Sequence, residues 1–105
     1  MDIIESYKIQ LNDTLHMKEI MDLHQLASDC KANIYLYRKH MIADAENLPK
    51  LLSFFLTTKR EETFTIINDR DPEEQNNLTN FLQQKPVHVL LKVDYNTSQN
   101  ESFVI

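Results

Sequence analysis

The sequence predicts one small α+β domain, in which helices cover one side of a β-sheet. The first observation is a change of period. Apolar residues recur every three or four positions over residues 17–30, as on one face of a helix, and every second position over residues 33–38, as in a half-buried strand. The second observation is the order of such segments: strand, helix, strand, strand, helix, strand, helix, strand. Strands with helices segregated to one side form an α+β layer fold.

The first half of the chain supplies the elements of a strand, a helix and a hairpin. Alternating apolar residues predict a strand at residues 5–11, and the polar residues 12–14 separate it from the helix at 17–30. The two short strands at 33–38 and 41–44 follow each other closely enough to form a hairpin. A chain of 105 residues is long enough for one core of this kind.

A second helix is predicted from its first residues. Asn47 is a good helix cap, and Pro49 lies in the first turn, where its missing N–H costs little. The helix should run to about Leu56, with an apolar face wider than such a short helix needs to bury. The β-branched and aromatic residues of 63–68 then predict a strand.

The clearest local signal is the start of a third helix. Asp71 can serve as cap, Pro72 occupies the first helical position, and Glu74 stands three residues beyond the cap. Pro86 should end this helix. The alternating apolar residues of 87–95 then predict a last strand, which could join the edge of the sheet, fold over its open face, or pair with a second copy of the chain.

Composition excludes several classes of function. A formal net charge of −5 disfavours binding to nucleic acid and to anionic membranes, because both need clustered Lys and Arg. No apolar run is long enough to span a membrane, and the first residues are acidic where a secretory signal would be basic, so we expect a cytoplasmic protein. The chain contains no glycine, so turns that require a positive φ must use other residues.

His16 stands where the chain enters the first helix, among N–H groups that have no partner within the helix. These amides and the helix dipole favour an anion, so the histidine could carry a phosphoryl group, contact a phosphate, or be a surface residue without a task. The four histidines are not spaced like metal ligands, and the single cysteine, Cys30, suits a small core residue. We therefore expect no metal and no cofactor.

Three short segments give the chain a resemblance to a known family. Leu-His at 15–16, Ala-Ser at 27–28 and Ile-Tyr-Leu at 34–36 occur in an order and spacing similar to those of HPr, the histidine-containing phosphocarrier protein of the bacterial sugar phosphotransferase system. The resemblance covers residues 7–83, more by spacing than by identity. It implies an open-faced sandwich with a four-stranded antiparallel sheet and three helices on one side. Residues 1–85 would form this domain and 86–105 an extension.

The resemblance assigns His16 the role of phosphoryl acceptor, which in the family receives phosphate from enzyme I and passes it to sugar-specific proteins. Lys18 replaces the family's arginine, which keeps the charge but loses the planar fork that binds phosphate through two bonds. Glu19 replaces a proline and would repel a phosphoryl group with a charge of about −2. We therefore expect phosphoryl transfer to be weakened.

Two further sites of the family have counterparts in this chain. Asn47 replaces a serine that a regulatory kinase phosphorylates in many Gram-positive bacteria, so that switch should be missing. Leu48, Pro49 and Leu52, together with Met17, correspond to the apolar patch that docks protein partners. The alternative is that these residues only pack a short helix.

Three functions follow as hypotheses. The first is a divergent HPr-like protein that acts through protein partners, such as phosphotransferase-system components, in regulation or assembly, with phosphoryl transfer weakened or lost. The second is an active phosphocarrier that uses His16. The third is a structural module that assembles through the C-terminal strand, for example as a homodimer. Independent enzymatic activity is not expected, because the chain has neither a glycine-rich phosphate loop nor a nucleophile elbow.

Overall fold

The computed structural model describes residues 3–30, 32–59, 61–71, 77–85 and 87–96, and for Tyr95 and Asn96 it describes the backbone alone. The elements follow one another as β1 (Ile3–Leu11), α1 (Met17–Asp29), β2 (Ala32–Arg38), β3 (Met41–Asp44), α2 (Leu48–Leu56), β4 (Thr63–Arg70), α3 (Asn77–Gln83) and β5 (Val87–Asn96). Over these described ranges the fold is α+β, with three helices and one five-stranded antiparallel sheet. The predicted α+β class is confirmed.

The strands lie in the order β3-β2-β4-β1-β5, so the carboxyl-terminal strand occupies an edge of the sheet. β1 pairs with β4 on one side, from Ile3 opposite Arg70 onwards, and with β5 on the other side, along its whole length. The β1–β5 register shifts between Lys8 and Ile9, where Leu90 is an extra residue in β5. Of the three places considered for the last strand, the edge beside β1 is the one it takes within this chain.

One face of the sheet carries the hydrophobic core. In β1 the buried side chains Tyr7, Ile9 and Leu11 alternate with the exposed Lys8 and the half-buried Gln10. Each of the three helices adds buried side chains to the same cluster, namely Ile20, Leu23, Ala27, Leu51, Phe54, Phe55, Leu78 and Leu82. No described helix or strand covers the opposite face of the sheet, which we call the open face and on which side chains such as Ile42 are exposed.

Three phenylalanines tie α2 to the sheet at one end of this core. The rings of Phe54, Phe55 and Phe64 pack edge to face, with centroids 5.4 to 5.7 Å apart in each pair. Edge-to-face contacts of this kind stabilise a core beyond the apolar area that they bury. The buried rings therefore fix the position of α2 against β4.

The elements differ from the predicted ones mainly at their ends. The first strand begins two residues earlier than predicted, at Ile3, and β4 continues to Arg70. α1 ends at Asp29, one residue earlier than predicted, and Cys30 is its C-cap. The sequence suggested that Cys30 is a core residue, but its side chain is only half-buried. The predicted start of the third helix falls on Pro72 and Glu74, which lie outside the described residues.

Candidate functional site

His16 is the N-cap of α1 and its imidazole is exposed. Its backbone is extended, with φ −84° and ψ 166°, and its carbonyl accepts a hydrogen bond from the N–H of Ile20 at 3.2 Å. The imidazole does not cap the helix and makes no hydrogen bond to any described residue. A side chain without a structural partner at a helix N-terminus is accessible to another molecule.

The three residues after His16 differ in their exposure. Met17 is 58% exposed, Lys18 is exposed, and Glu19 is half-buried in the first turn of α1. Among the described residues neither Lys18 nor Glu19 forms an ion pair. No described cation therefore lies within salt-bridge distance of the Glu19 carboxylate.

α1 and α2 are in contact and both expose apolar side chains. The contact includes a hydrogen bond of 3.0 Å between His24 Nδ1 and the carbonyl of Ala45, just before α2 begins. Besides Met17, α1 exposes Met21 at 41%, and α2 exposes Leu56 at 78%. Leu56 lies away from the core, because Leu51, Phe54 and Phe55 are the buried residues of α2.

The predicted docking residues of α2 are only partly available. Pro49 is exposed, whereas Leu48 and Leu52 are half-buried, and Leu52 packs against the core. Leu48 and Leu52 are four residues apart and so lie on one line along the helix, which continues to the exposed Leu56. We call Met17, Met21, Leu48, Pro49, Leu52 and Leu56 the apolar helix surface.

Asn47 is confirmed as the cap of α2. Its side-chain oxygen accepts a hydrogen bond from the backbone N–H of Lys50 at 3.3 Å, and its own side chain is exposed. His16 and Asn47 thus occupy equivalent places at the N-termini of two touching helices. No hydrogen bond joins His16 or Lys18 to Asn47 or Leu48 in the described part of the chain.

A buried ionic cluster on the core face of the sheet was not anticipated. Glu5 is only 1% exposed, and its Oε1 accepts hydrogen bonds from Asn68 Nδ2 at 3.0 Å and from Arg70 Nε at 2.9 Å. Lys92 Nζ lies 3.1 Å from the other oxygen. Since Glu5 has the same parity in β1 as Tyr7, the alternation of the strand alone would have placed it on the core side.

The charges of this cluster stabilise one another. Burial by itself would raise the pKa of Glu5, but the hydrogen bonds and the positive charges of Arg70 and Lys92 together lower that pKa below its ordinary value. Burial by itself would lower the pKa of Lys92, but its hydrogen bond to Glu5 and the charges of Tyr7, Glu5 and Asp94 together raise that pKa. The cluster joins β1, β4 and β5 and is a structural feature of the fold.

Neither a metal site nor a membrane span is found in the described residues. No group of three or more His, Cys, Asp or Glu side chains is arranged to hold a metal ion over these ranges. Nor is any helix there both long and apolar enough to cross a bilayer. No protein-family model matches the chain, and no curated protein has significant similarity to its sequence.

Proposed function

We propose that this chain is a divergent HPr-like protein that binds protein partners through its apolar helix surface, with phosphoryl transfer at His16 weakened or lost. The proposal rests on one observation at the start of α1. The N-cap His16 is exposed and has no hydrogen-bond partner among the described residues, and Met17 beside it is 58% exposed. Exposed apolar side chains of this kind are typical of protein-binding surfaces. Such a protein would act in the bacterial cytoplasm with components of the phosphotransferase system.

The arrangement of the elements supports this assignment. The strands β3-β2-β4-β1 are four adjacent antiparallel strands, as the HPr resemblance implies. The helices α1, α2 and α3 all contribute to the core on one face of this sheet. β5 is then an addition at the β1 edge, as expected for an extension of the family's domain.

Electrostatics support weakened transfer. A phosphorylated His16 would carry about two negative charges at the start of the helix that contains Glu19. At a separation of about 6 Å and an effective dielectric of about 20, their repulsion amounts to a few kcal/mol before salt screening. The helix dipole and Lys18 offset part of this repulsion, so we expect phosphoryl transfer to be weakened and not abolished by Glu19.

Phosphorylation by enzyme I and radiolabelled phosphoenolpyruvate tests the proposal. We expect far less than one acid-labile phosphate per chain, none in His16→Ala, and about a tenfold gain in labelling in Glu19→Gln. Asp29→Asn is the matched control, because it removes a carboxylate about 18 Å away at the other end of the 13-residue helix α1. Stoichiometric labelling of the native chain that disappears in His16→Ala would instead establish the second candidate, a working phosphocarrier in which Lys18 replaces the arginine.

A third candidate, an assembly module, rests on the exposed edge strand. β5 exposes Val89, Leu90 and Leu91 at 46%, 47% and 57%, and unprotected apolar edge strands tend to pair with other strands. Light scattering on Leu90→Lys and Leu91→Lys tests it, because a lysine at an edge blocks such pairing. A native dimer that both substitutions convert to a monomer would favour this candidate, and a native monomer would exclude it.

A further inference from the structure

An open cavity of about 710 Å³ lies at the end of the sheet where β1 ends and β4 begins. The carbonyl of Leu11, the last residue of β1, accepts a hydrogen bond from the N–H of Glu61 at 3.1 Å, and Gln10 Nε2 donates to the carbonyl of Glu61 at 3.1 Å. The loop before β4 is thus fixed to β1. The cavity is lined by Lys8, Tyr37, Arg38, Lys39, Thr57, Lys59, Glu61, Glu62, Thr63, Phe64 and Thr65.

The lining is basic, although the chain as a whole has a formal net charge of −5. Four cationic side chains face two acidic ones around the cavity. The ammonium groups of Lys8, Lys39 and Lys59 form no ion pair with any described carboxylate. A cleft lined by one sign of charge concentrates ligands of the opposite sign.

One of the two acidic side chains is already engaged. Glu62 Oε1 accepts a hydrogen bond of 2.7 Å from the backbone N–H of Lys59, and its Oε2 lies 3.4 Å from Arg38 Nη1. The hydrogen bond from Lys59, together with the charges of Arg38 and Lys39, lowers the pKa of Glu62. Glu62 therefore neutralises Arg38, so that among the lining residues three lysines remain against the single carboxylate of Glu61.

Arg38 forms a fixed wall of the cavity. It is only 9% exposed, its Nη2 donates a hydrogen bond of 2.6 Å to Thr57 Oγ1, and its guanidinium lies 5.3 Å from the centre of the Phe54 ring. These contacts hold the end of β2 against the end of α2. This wall of the cavity is therefore preorganised, because packed secondary-structure elements hold Arg38 in place.

Two residues with positive φ also line the cavity. They are Lys39, with φ 54°, and Glu61, with φ 70°. A residue with a Cβ adopts this region at a cost of roughly 1–2 kcal/mol, and such strained residues cluster at functional sites. Glycine would adopt a positive φ without this cost, but the chain contains none. Both strained turns direct the backbone around the same cavity.

We propose that this cavity binds a small phosphorylated organic anion. Lysine ammonium groups bind phosphate as point charges, and the hydroxyl groups of Tyr37, Thr63 and Thr65 add donors for the remaining phosphate oxygens. The volume lies within the roughly 300–1,000 Å³ typical of small-molecule sites, so it leaves room for an organic group beside the phosphate. His16 is not among the lining residues, so this site does not depend on phosphoryl transfer.

Titration calorimetry on the full chain tests the proposal with ADP, a sugar bisphosphate, inorganic pyrophosphate and citrate as probes. We expect at least one organic phosphate to bind with a Kd below about 1 mM at 0.15 M salt, and more tightly than pyrophosphate or citrate. ADP and the sugar bisphosphate distinguish a planar organic group from a polyhydroxylated one. Lys8→Gln combined with Lys59→Gln should raise the Kd at least about tenfold.

Lys50→Gln is the matched control, because Lys50 is an exposed lysine of α2 that does not line the cavity. Its Kd should stay within about twofold of the native value. Thermal unfolding of each variant verifies that it is folded. The proposal is overturned if no organic phosphate binds below about 1 mM, if citrate or pyrophosphate binds as tightly, or if Lys50→Gln weakens binding as much as the double variant.

Discussion

Lys92 Nζ lies 3.1 Å from Oε2 of Glu5, and this ion pair joins β5 to β1 on the core side of the sheet. Arg70 and Asn68 of β4 hold the other carboxylate oxygen, so Glu5 is bound from both neighbouring strands. A buried carboxylate is tolerated only where donors replace its lost water. The edge strand is therefore integrated into the fold by a specific polar contact as well as by its backbone ladder.

Glu5→Gln should lower the free energy of unfolding by about 3 kcal/mol, because it removes the buried negative charge to which both Arg70 and Lys92 are paired. Urea unfolding at pH 7 measures the loss. Asp94→Asn is the control, since Asp94 also contacts Lys92, at 3.5 Å, but is 56% exposed and should cost less than about 1 kcal/mol. Equal losses in both variants would contradict a special role for the buried pair.

Stability should depend on pH through the same two groups. Because folding lowers the pKa of Glu5, its contribution is present above the ordinary value of 4.5 and is lost as the pH falls through the lower pKa of the folded state. Because folding raises the pKa of Lys92, its contribution is present below 10.5 and is lost as the pH rises through the raised value.

The acidic limb is the easier one to measure. Urea midpoints between pH 7 and pH 3 should fall less steeply in Glu5→Gln than in the native protein, since glutamine has no proton to bind. An unchanged slope in this variant would show that other carboxylates carry the acid sensitivity.

The positive φ of Glu61 can be relieved by glycine. Glu61→Gly should raise the free energy of unfolding by about 0.5–1 kcal/mol, because glycine adopts φ 70° without strain. Glu46→Gly is the matched control at an exposed turn residue that is not among those with positive φ, and it should lower stability, since glycine there only adds freedom to the unfolded chain. If Glu61→Gly is instead less stable than the native chain, the contacts of the Glu61 side chain stabilise the fold by more than the strain of its positive φ destabilises it.

The cap of α2 is a further test of local structure. Asn47→Ala should lower the free energy of unfolding by about 1 kcal/mol, because the N–H of Lys50 loses its acceptor. Asn47→Ser should retain most of the stability, since serine caps a helix about as well. Thermal unfolding compares the two variants, and a serine variant as unstable as the alanine one would argue against capping as the role of this residue.

Local signals in the sequence predicted most of the helices and strands, but not which charged side chains pair with each other. The period of residues 17–30 and the cap at Asn47 predicted α1 and α2 closely, because both depend on neighbours within a turn. The place of β5 beside β1 and the pairing of Glu5 with Lys92 depend on residues far apart in the chain, so no local pattern encodes them.

The candidate site shows the same division. The helical period placed Met17 and Met21 on the apolar face of α1 together with Ile20 and Leu23, but only the latter two are buried. How much of an amphipathic stripe the core covers depends on the position of α2, which sequence spacing does not give. The basic cavity could not be predicted from the sequence either, because its lysines come from three separate segments: β1, the β2–β3 turn and the loop before β4.

The most direct test of the central proposal is the affinity of the chain for unphosphorylated enzyme I, measured by titration calorimetry with Met17→Asp and Ile42→Asp. These two side chains are almost equally exposed, at 58% and 60%, but Met17 belongs to the apolar helix surface and Ile42 to the open face of the sheet. We predict that the native chain binds, that Met17→Asp weakens binding at least about tenfold, and that Ile42→Asp leaves it unchanged. Absence of binding by the native chain, or an equal loss in both variants, would contradict the proposal.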